Sequence, residues 1–332
     1  MRAPFSLTKP RLIERTADDS AATSLRRFIW RMTGYHQIAI CLGAIAVTLI
    51  NLVPIELQRR IVNEVVETQD VPMLLRLGAA YAALLLIHQA AKFTLRLYQS
   101  WLTESATLYM RNHLLSLYKD GSGEQDDGTG RAVSVVGTEV EKLGGFVGEA
   151  LAQACANGAM LLGVSAYMLV VEPGIAVFAL GVLVPQVVLT PVIQRRLNDL
   201  VEQRVKYLRE LGDDISELEG PARDRCLTVI PNIFRNRMRY FLLKFIMKSL
   251  LNIVNAIGPM TVLLVGGYMV MQGETQVGVI VAFLSGFERM SNPVRELIGF
   301  YRVTAQAAVQ HRMIARWMAQ QCDDASESAE SA

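Results

Sequence analysis

ALAQACANGAMLLGVSAYMLVVEPGIAVFALGVLVPQVVLTPVIQ, residues 150–194, holds a single charged side chain, Glu172. The charge-free runs on either side are each long enough to cross a bilayer, since a helix needs about 20 apolar residues to span the hydrocarbon. Pro173 and Gly174 follow Glu172 at once and mark a tight turn. The stretch reads as two membrane helices joined by a very short loop. In hydrocarbon every backbone amide must be satisfied within the protein, which leaves helices or closed barrels, and these lengths select helices.

Working outward, residues 32–55 and 249–273 are likewise free of Asp, Glu, Lys and Arg. Residues 77–91 and 275–287 are shorter, and by length alone either could be a buried helix of a soluble domain. Loop charge decides, because short loops rich in Lys and Arg stay in the cytoplasm. If all six segments span, every one of the 33 Lys and Arg residues except Arg59, Arg60 and Arg76 falls on one side. Removing residues 77–91 strands the basic residues from Lys92 to Lys142 on the wrong side. Removing 275–287 strands those from Arg289 to Arg316. The sequence therefore predicts an all-α membrane protein with six transmembrane helices, both termini cytoplasmic, in the cell membrane. The internal connections are long and keep helical spacing, so the helices are expected to project well beyond the bilayer.

Composition agrees. Of 332 residues, 52% are hydrophobic and 19% charged, against about 25% charged in soluble domains. Net charge is +2, and no nucleic-acid partner is expected. Cys41, Cys155, Cys226 and Cys322 lie far apart and form no CxxC, so they read as small apolar fillers rather than a redox or zinc site. Residues 1–31 carry seven basic residues and no apolar core, unlike a cleavable signal peptide. Residues 1–23 are expected to be a disordered cytoplasmic tail, 24–320 the six-span domain, and 321–332 a disordered acidic tail. Within 24–35, SLRRFIWRMTGY mixes arginines with aromatics and suits a helix lying at the bilayer surface.

No acid–base pair, metal cluster or nucleophile motif stands out; the four histidines are dispersed. Polar groups inside spans are costly and point to function. The cavity candidates are Glu288 and Arg289 near Pro293, His88 and Lys92 on one helix face, and Asn157. For Glu288 and Arg289 the alternative is a structural ion pair, and for Lys92 a side chain snorkelling to the membrane edge. Asn252 and Asn255 read as interhelical hydrogen bonds. Pro54, Pro185, Pro191, Pro259 and Pro293 mark kinks.

Three stretches carry a family resemblance: NLVPIELQRRIVNEVVE at 51–67, GRAVSVVGTEVEKLGGFVGE at 130–149, and residues 266–318, with a turn at Gly273 and a central Pro293. Over residues 24–318 the chain resembles the transmembrane domain of type I ABC exporters. That resemblance implies a surface elbow helix, six long spans, a homodimer or heterodimer with a similar subunit, and coupling to an ATPase. In the family a nucleotide-binding domain follows the last helix, but this sequence contains no G-x-x-x-x-G-K-[ST] loop to cradle phosphates. The chain is thus expected not to be an enzyme and to hold no cofactor, with ATP bound by a partner subunit. The tip of the first internal loop, KDGSGEQDDGTG at 119–130, is too glycine-rich for a docked helix. The second, GPARDRCLTVIPNIF at 220–234, keeps Leu227, Val229 and Ile230 as apolar residues for ATPase coupling. Two functions stay open: a permease powered by a separately encoded ATPase, or a non-transporting membrane scaffold or regulator that retains the exporter fold.

Overall fold

The computed structural model describes residues 9–11, 13, 24–65, 70–121, 137, 139–216 and 221–330. Among them there is no strand. The first loop tip, over residues 122–130, lies outside the described residues.

Helix α1 (Leu25–Thr33) begins at Ser24, whose hydroxyl accepts the Arg27 N–H at 3.3 Å. It ends at Gly34, whose φ of 54° is left-handed and whose N–H donates to the Trp30 carbonyl at 2.6 Å. Glycine adopts this conformation without strain, and the turn separates α1 from α2 (Tyr35–Ile50). The expected surface helix is therefore a discrete element. Pro54 lacks an N–H, so the first long helix breaks at Asn51–Leu52 and resumes as α3 (Val53–Arg60), with Pro54 in its first turn. A π turn, Ile61–Val65, follows.

The remaining helices are α4 (Val71–Gly121), α5 (Val140–Gly145), a π turn Phe146–Ala150, α6 (Leu151–Val171), α7 (Pro173–Ser216), α8 (Pro221–Met271) and α9 (Val277–Glu330). Only Glu172 separates α6 from α7. At 1.5 Å per residue, the 51 residues of α4 extend to about 75 Å, well beyond a bilayer of about 45 Å. Among the described residues, five helical stretches are long and apolar enough to span a membrane. The sixth, α9, has the length, but Glu288 and Arg289 cut its apolar run short; its count as a span rests on the loop charges.

Two expectations about the ends change. The helix α9 continues to Glu330, through the acidic stretch read as disordered from residue 321. Alanine, glutamine and glutamate favour helix, and a helix already under way needs no new nucleus. At the other end, part of the tail before residue 24 is docked. The Trp101 indole N–H donates to the Lys9 carbonyl at 3.1 Å, and the Arg11 N–H to Ser105 Oγ at 3.1 Å. The Arg11 guanidinium donates to the Met32 carbonyl at 2.8 Å, a cation on the last turn of α1. Ile13 packs beside Met32, Ala106 and Val147.

The chain forms two compact units. The first comprises residues Met1–Leu57, Thr68–Gly163 and Glu296–Ala332. Its core joins Met110 and Leu114 of α4, Val140 and Leu143 of α5, Phe146, and Ala307, Ile314 and Met318 of α9. Phe28 and Ile29 of α1 close over that cluster. A second cluster, Ile40, Ala44, Leu102 and Ala152, ties α2 to α4 and α6. Close approach of α4 to α5 and to the π turn after it depends on Gly144 and Gly148, where a Cβ would overlap Thr107 Oγ1 and Thr103 Oγ1 respectively.

The second unit comprises Gln58–Glu67 and Val164–Arg295. Its α7 and α8 pack along each other, and the start of α9 is bound in by Phe287, which fills the space that a side chain at Gly258 would need. Gly273, at φ 75°, makes the turn between α8 and α9, as the sequence indicated.

Candidate functional site

The first unit holds a cavity of about 870 Å³ between α4, the α5–α6 segment and the middle of α9. That volume lies within the ~300–1,000 Å³ typical of small-molecule sites. Its centre is aromatic: Phe146 and Phe300 stack at 6.4 Å with 13° between ring planes. One helical turn from each ring stands a charge, Lys142 before Phe146 and Glu296 before Phe300. Glu149, Arg96 and Arg302 complete the charged lining, and Gln153, Asn157 and Gln310 supply amides.

Asn157 is buried, and its Oδ1 accepts from Gln153 Nε2 at 3.4 Å, one turn away on α6. Lys142 is held by Glu139 at 3.2 Å. Among the described residues no ion pair joins Arg96, Arg302, Glu149 or Glu296 to a partner, so these four charges stand open to the cavity. The chain runs in opposite directions through the α5–α6 segment and α9 here, because Phe146 meets Phe300 while Leu143, one turn earlier, shares a small cavity with His311, Ile314 and Met318.

Of the residues expected to line a cavity, Asn157 does so. His88 is half-buried and Lys92 exposed on α4, and neither lines this space; Arg96, one turn beyond Lys92, does. Glu288 is exposed and Arg289 half-buried, both in the second unit. The sequence reading did not single out Arg96, Glu149, Glu296 and Arg302, because all four lie outside the charge-free runs, where a charged side chain is no anomaly. The available signal was a charge followed four residues later by phenylalanine, at Lys142–Phe146 and Glu296–Phe300.

The second unit has a smaller polar cluster within its spans. Ser291 Oγ donates to Asn255 Oδ1 at 2.9 Å, and Gln186 Nε2 donates to the Ser291 carbonyl at 3.4 Å. Three helices meet through these groups, so Asn255 is the interhelical hydrogen bond it was expected to be. Nearer the start of α8, Leu227 and Ile230 are 62% and 51% exposed whereas Val229 is 4% exposed. Of the three apolar residues read as a docking patch, Val229 turns inward and the other two present a surface.

Comparison with known proteins bears on this architecture. The model of the ABC transporter transmembrane region matches residues 37–218, more than half of the chain, from α2 to the end of α7. The match stops short of residues 266–318, where the resemblance read from sequence was most detailed. No curated protein matches the chain. A long-helix membrane architecture with an elbow helix ahead of its first span, matched over that extent, places the chain in the family of ABC transporter transmembrane regions.

Proposed function

We propose that the chain is the permease subunit of an ABC-type transporter, pairing with a second copy or a similar subunit to enclose a substrate path. ATP in this reading is bound and hydrolysed by a separate ATPase subunit; the 332 residues themselves hold no phosphate-cradling loop. In this reading both termini and the long helical extensions are cytoplasmic, following the distribution of Lys and Arg. The observation that carries it is the large cavity with unpaired charges of both signs, on a scaffold of the transporter family. A structural packing defect of that size would be lined with apolar groups or filled. The exposed Leu227 and Ile230 supply an apolar contact for the ATPase.

One observation favours the second reading, a scaffold or regulator without transport. The first loop tip is acidic and rich in glycine, unsuited to a docked helix. Purification from the native membrane in mild detergent separates the two. The permease reading expects a stoichiometric ABC ATPase to co-purify and to hydrolyse ATP in the complex. Repeated recovery of the chain without any such subunit overturns it in favour of the scaffold.

A further inference from the structure

The charges around the cavity in the first unit are sorted along its length. Because the α5–α6 segment and α9 are antiparallel at the stacked pair Phe146–Phe300, Glu149 and Glu296 lie on the same side of the rings. Lys142 and Arg302 lie on the other. Along α9, Glu296 and Arg302 are six residues apart, about 9 Å at the helical rise. Along the opposite limb, Lys142 and Glu149 are seven residues apart, about 10 Å. Arg96 belongs to the acidic end: the backbone of Gln99, one turn further along α4, passes Gly148, with a Cβ there only 2.9 Å from the Gln99 carbonyl oxygen. The acidic end therefore sums two carboxylates and one guanidinium to a net −1. At the basic end Lys142 is neutralised by Glu139 at 3.2 Å, leaving Arg302 as the net +1.

A cavity with one net negative end, one net positive end and an aromatic waist is complementary to a particular ligand shape. An apolar solute would strip water from open charges and give nothing back. A simple anion or cation would satisfy one end and be repelled at the other. A linear solute with a cationic group and an anionic group about 10 Å apart, and an apolar group between them, satisfies all three zones. An extended peptide spans about 3.3–3.6 Å per residue, so free termini separated by this distance belong to a peptide of about three residues.

We propose that this cavity binds a zwitterionic linear solute of short-peptide type, its ammonium toward Glu149 and Glu296, its carboxylate toward Arg302, and an apolar side chain against Phe146 and Phe300. The proposal rests on the permease reading for its role in transport, but the binding itself does not require the ATPase.

The test is calorimetric titration of the protein in lipid nanodiscs, with any subunit that co-purifies, using three probes of the same sequence. The probes are Ala-Phe-Ala with free termini, its N-acetyl form and its C-terminal amide. The free tripeptide is expected to bind, and each blocked form to bind at least ~10-fold more weakly, the size of a lost charge-assisted hydrogen bond. Glu296→Gln should weaken the free peptide and leave the N-acetyl form unchanged. Arg302→Gln should weaken the free peptide and leave the amide unchanged. Both side chains are exposed, so the variants should fold, which their unfolding midpoints verify. Equal binding of blocked and free peptides overturns the proposal, as does a uniform effect of each variant on all three probes, or absence of binding by all of them. An ATPase that co-purifies without peptide binding refutes the ligand class and leaves the permease; peptide binding without an ATPase does the reverse.

Discussion

The side-chain amide of Asn63 caps the start of α9: its Oδ1 accepts the Gly278 N–H at 2.7 Å, and its Nδ2 donates to Gln276 Oε1 at 2.7 Å. Asn63 sits in the π turn after α3 and is 8% exposed, and its bond to the Gly278 N–H is buried, whereas the bond to Gln276 reaches an exposed side chain. An N-terminal helical N–H has no partner inside its own helix, and here a residue more than 200 positions earlier supplies one. The approach is so close that a Cβ at position 278 would overlap Asn63 Oδ1 and the Arg59 carbonyl oxygen. About two turns further along α9, Ser285 Oγ donates to Gln58 Oε1 at 2.6 Å, and fastens the same two segments again.

Asn63→Ala should leave the Gly278 N–H buried without an acceptor and cost ~1–3 kcal/mol. Gly278→Ala should cost a comparable ~1–3 kcal/mol by overpacking. Unfolding followed by intrinsic fluorescence in detergent checks both. Because each variant breaks the same contact, the double variant should be clearly less damaging than the sum; strict additivity would show that the cap is not what joins these segments.

A different glycine dependence governs α4 against α5. Thr103 Oγ1 and Thr107 Oγ1 are buried without a conventional hydrogen-bond partner, pressed on the Cα faces of Gly148 and Gly144. Close Cα–H···O contacts of this kind recur where small residues let helices approach. Gly144→Ala should destabilise by ~1–3 kcal/mol and be rescued by Thr107→Ala, since the next atoms a Cβ would meet are at 3.4 Å. Gly148→Ala should not be rescued by Thr103→Ala, because the Gln99 carbonyl oxygen would remain 2.9 Å away. Melting temperatures of the four single and two double variants distinguish a side-chain clash from a backbone one; equal rescue at both glycines refutes it.

These two contacts also mark how far the sequence could be read. The long helices, the surface helix within 24–35, the Glu172 hairpin and the turn at Gly273 were legible because lipid demands apolar length, arginines beside aromatics suit its surface, and Pro and Gly punctuate the chain. Asn63 was not, since one amide outside an apolar run has no periodicity to betray it. The docked segment around Arg11 was missed for a related reason: Lys9, Pro10 and Arg11 show neither helical nor strand spacing, and their placement comes from Trp101, Ser105 and Met32. Of the cavity, only the residues within spans were visible as anomalies, so Asn157 was found and the charges Glu149, Glu296 and Arg302, outside the charge-free runs, were not.

His311 is 7% exposed, with its ring 5.2 Å from that of Phe28, in a small apolar cavity lined also by Arg31 of α1 and by Tyr109 and His113 of α4. Burial first, and the Arg312 charge second, hold its pKa below the ordinary 6.5. Above 6.5 the ring is neutral whether the chain is folded or unfolded, and its contribution to stability is constant. Below 6.5 the unfolded chain takes up a proton that the folded chain resists, so stability falls as pH falls until the folded pKa is reached. Between about pH 7.5 and about pH 5.5 the unfolding midpoint of the first unit should drop further in the parent than in His311→Gln. An equal drop in both would assign the pH dependence to other groups.

The docking face at the start of α8 gives the last prediction, and it separates surface from core within four residues. Leu227 and Ile230 are exposed and Val229 is buried, so equivalent truncations should have opposite consequences if an ATPase seats there. Leu227→Ser with Ile230→Ser removes apolar area from water-facing positions, where substitutions shift stability by no more than about 0.5 kcal/mol. The double variant should keep its unfolding midpoint yet lose the co-purifying ATPase, with at least a tenfold weaker association. Val229→Ala leaves that surface in place but opens a void, at a cost of about 1–3 kcal/mol; its midpoint should fall while the ATPase is retained at permissive temperature. Loss of the ATPase in Val229→Ala alone, or its retention in the serine double variant, would move the coupling contact away from this face.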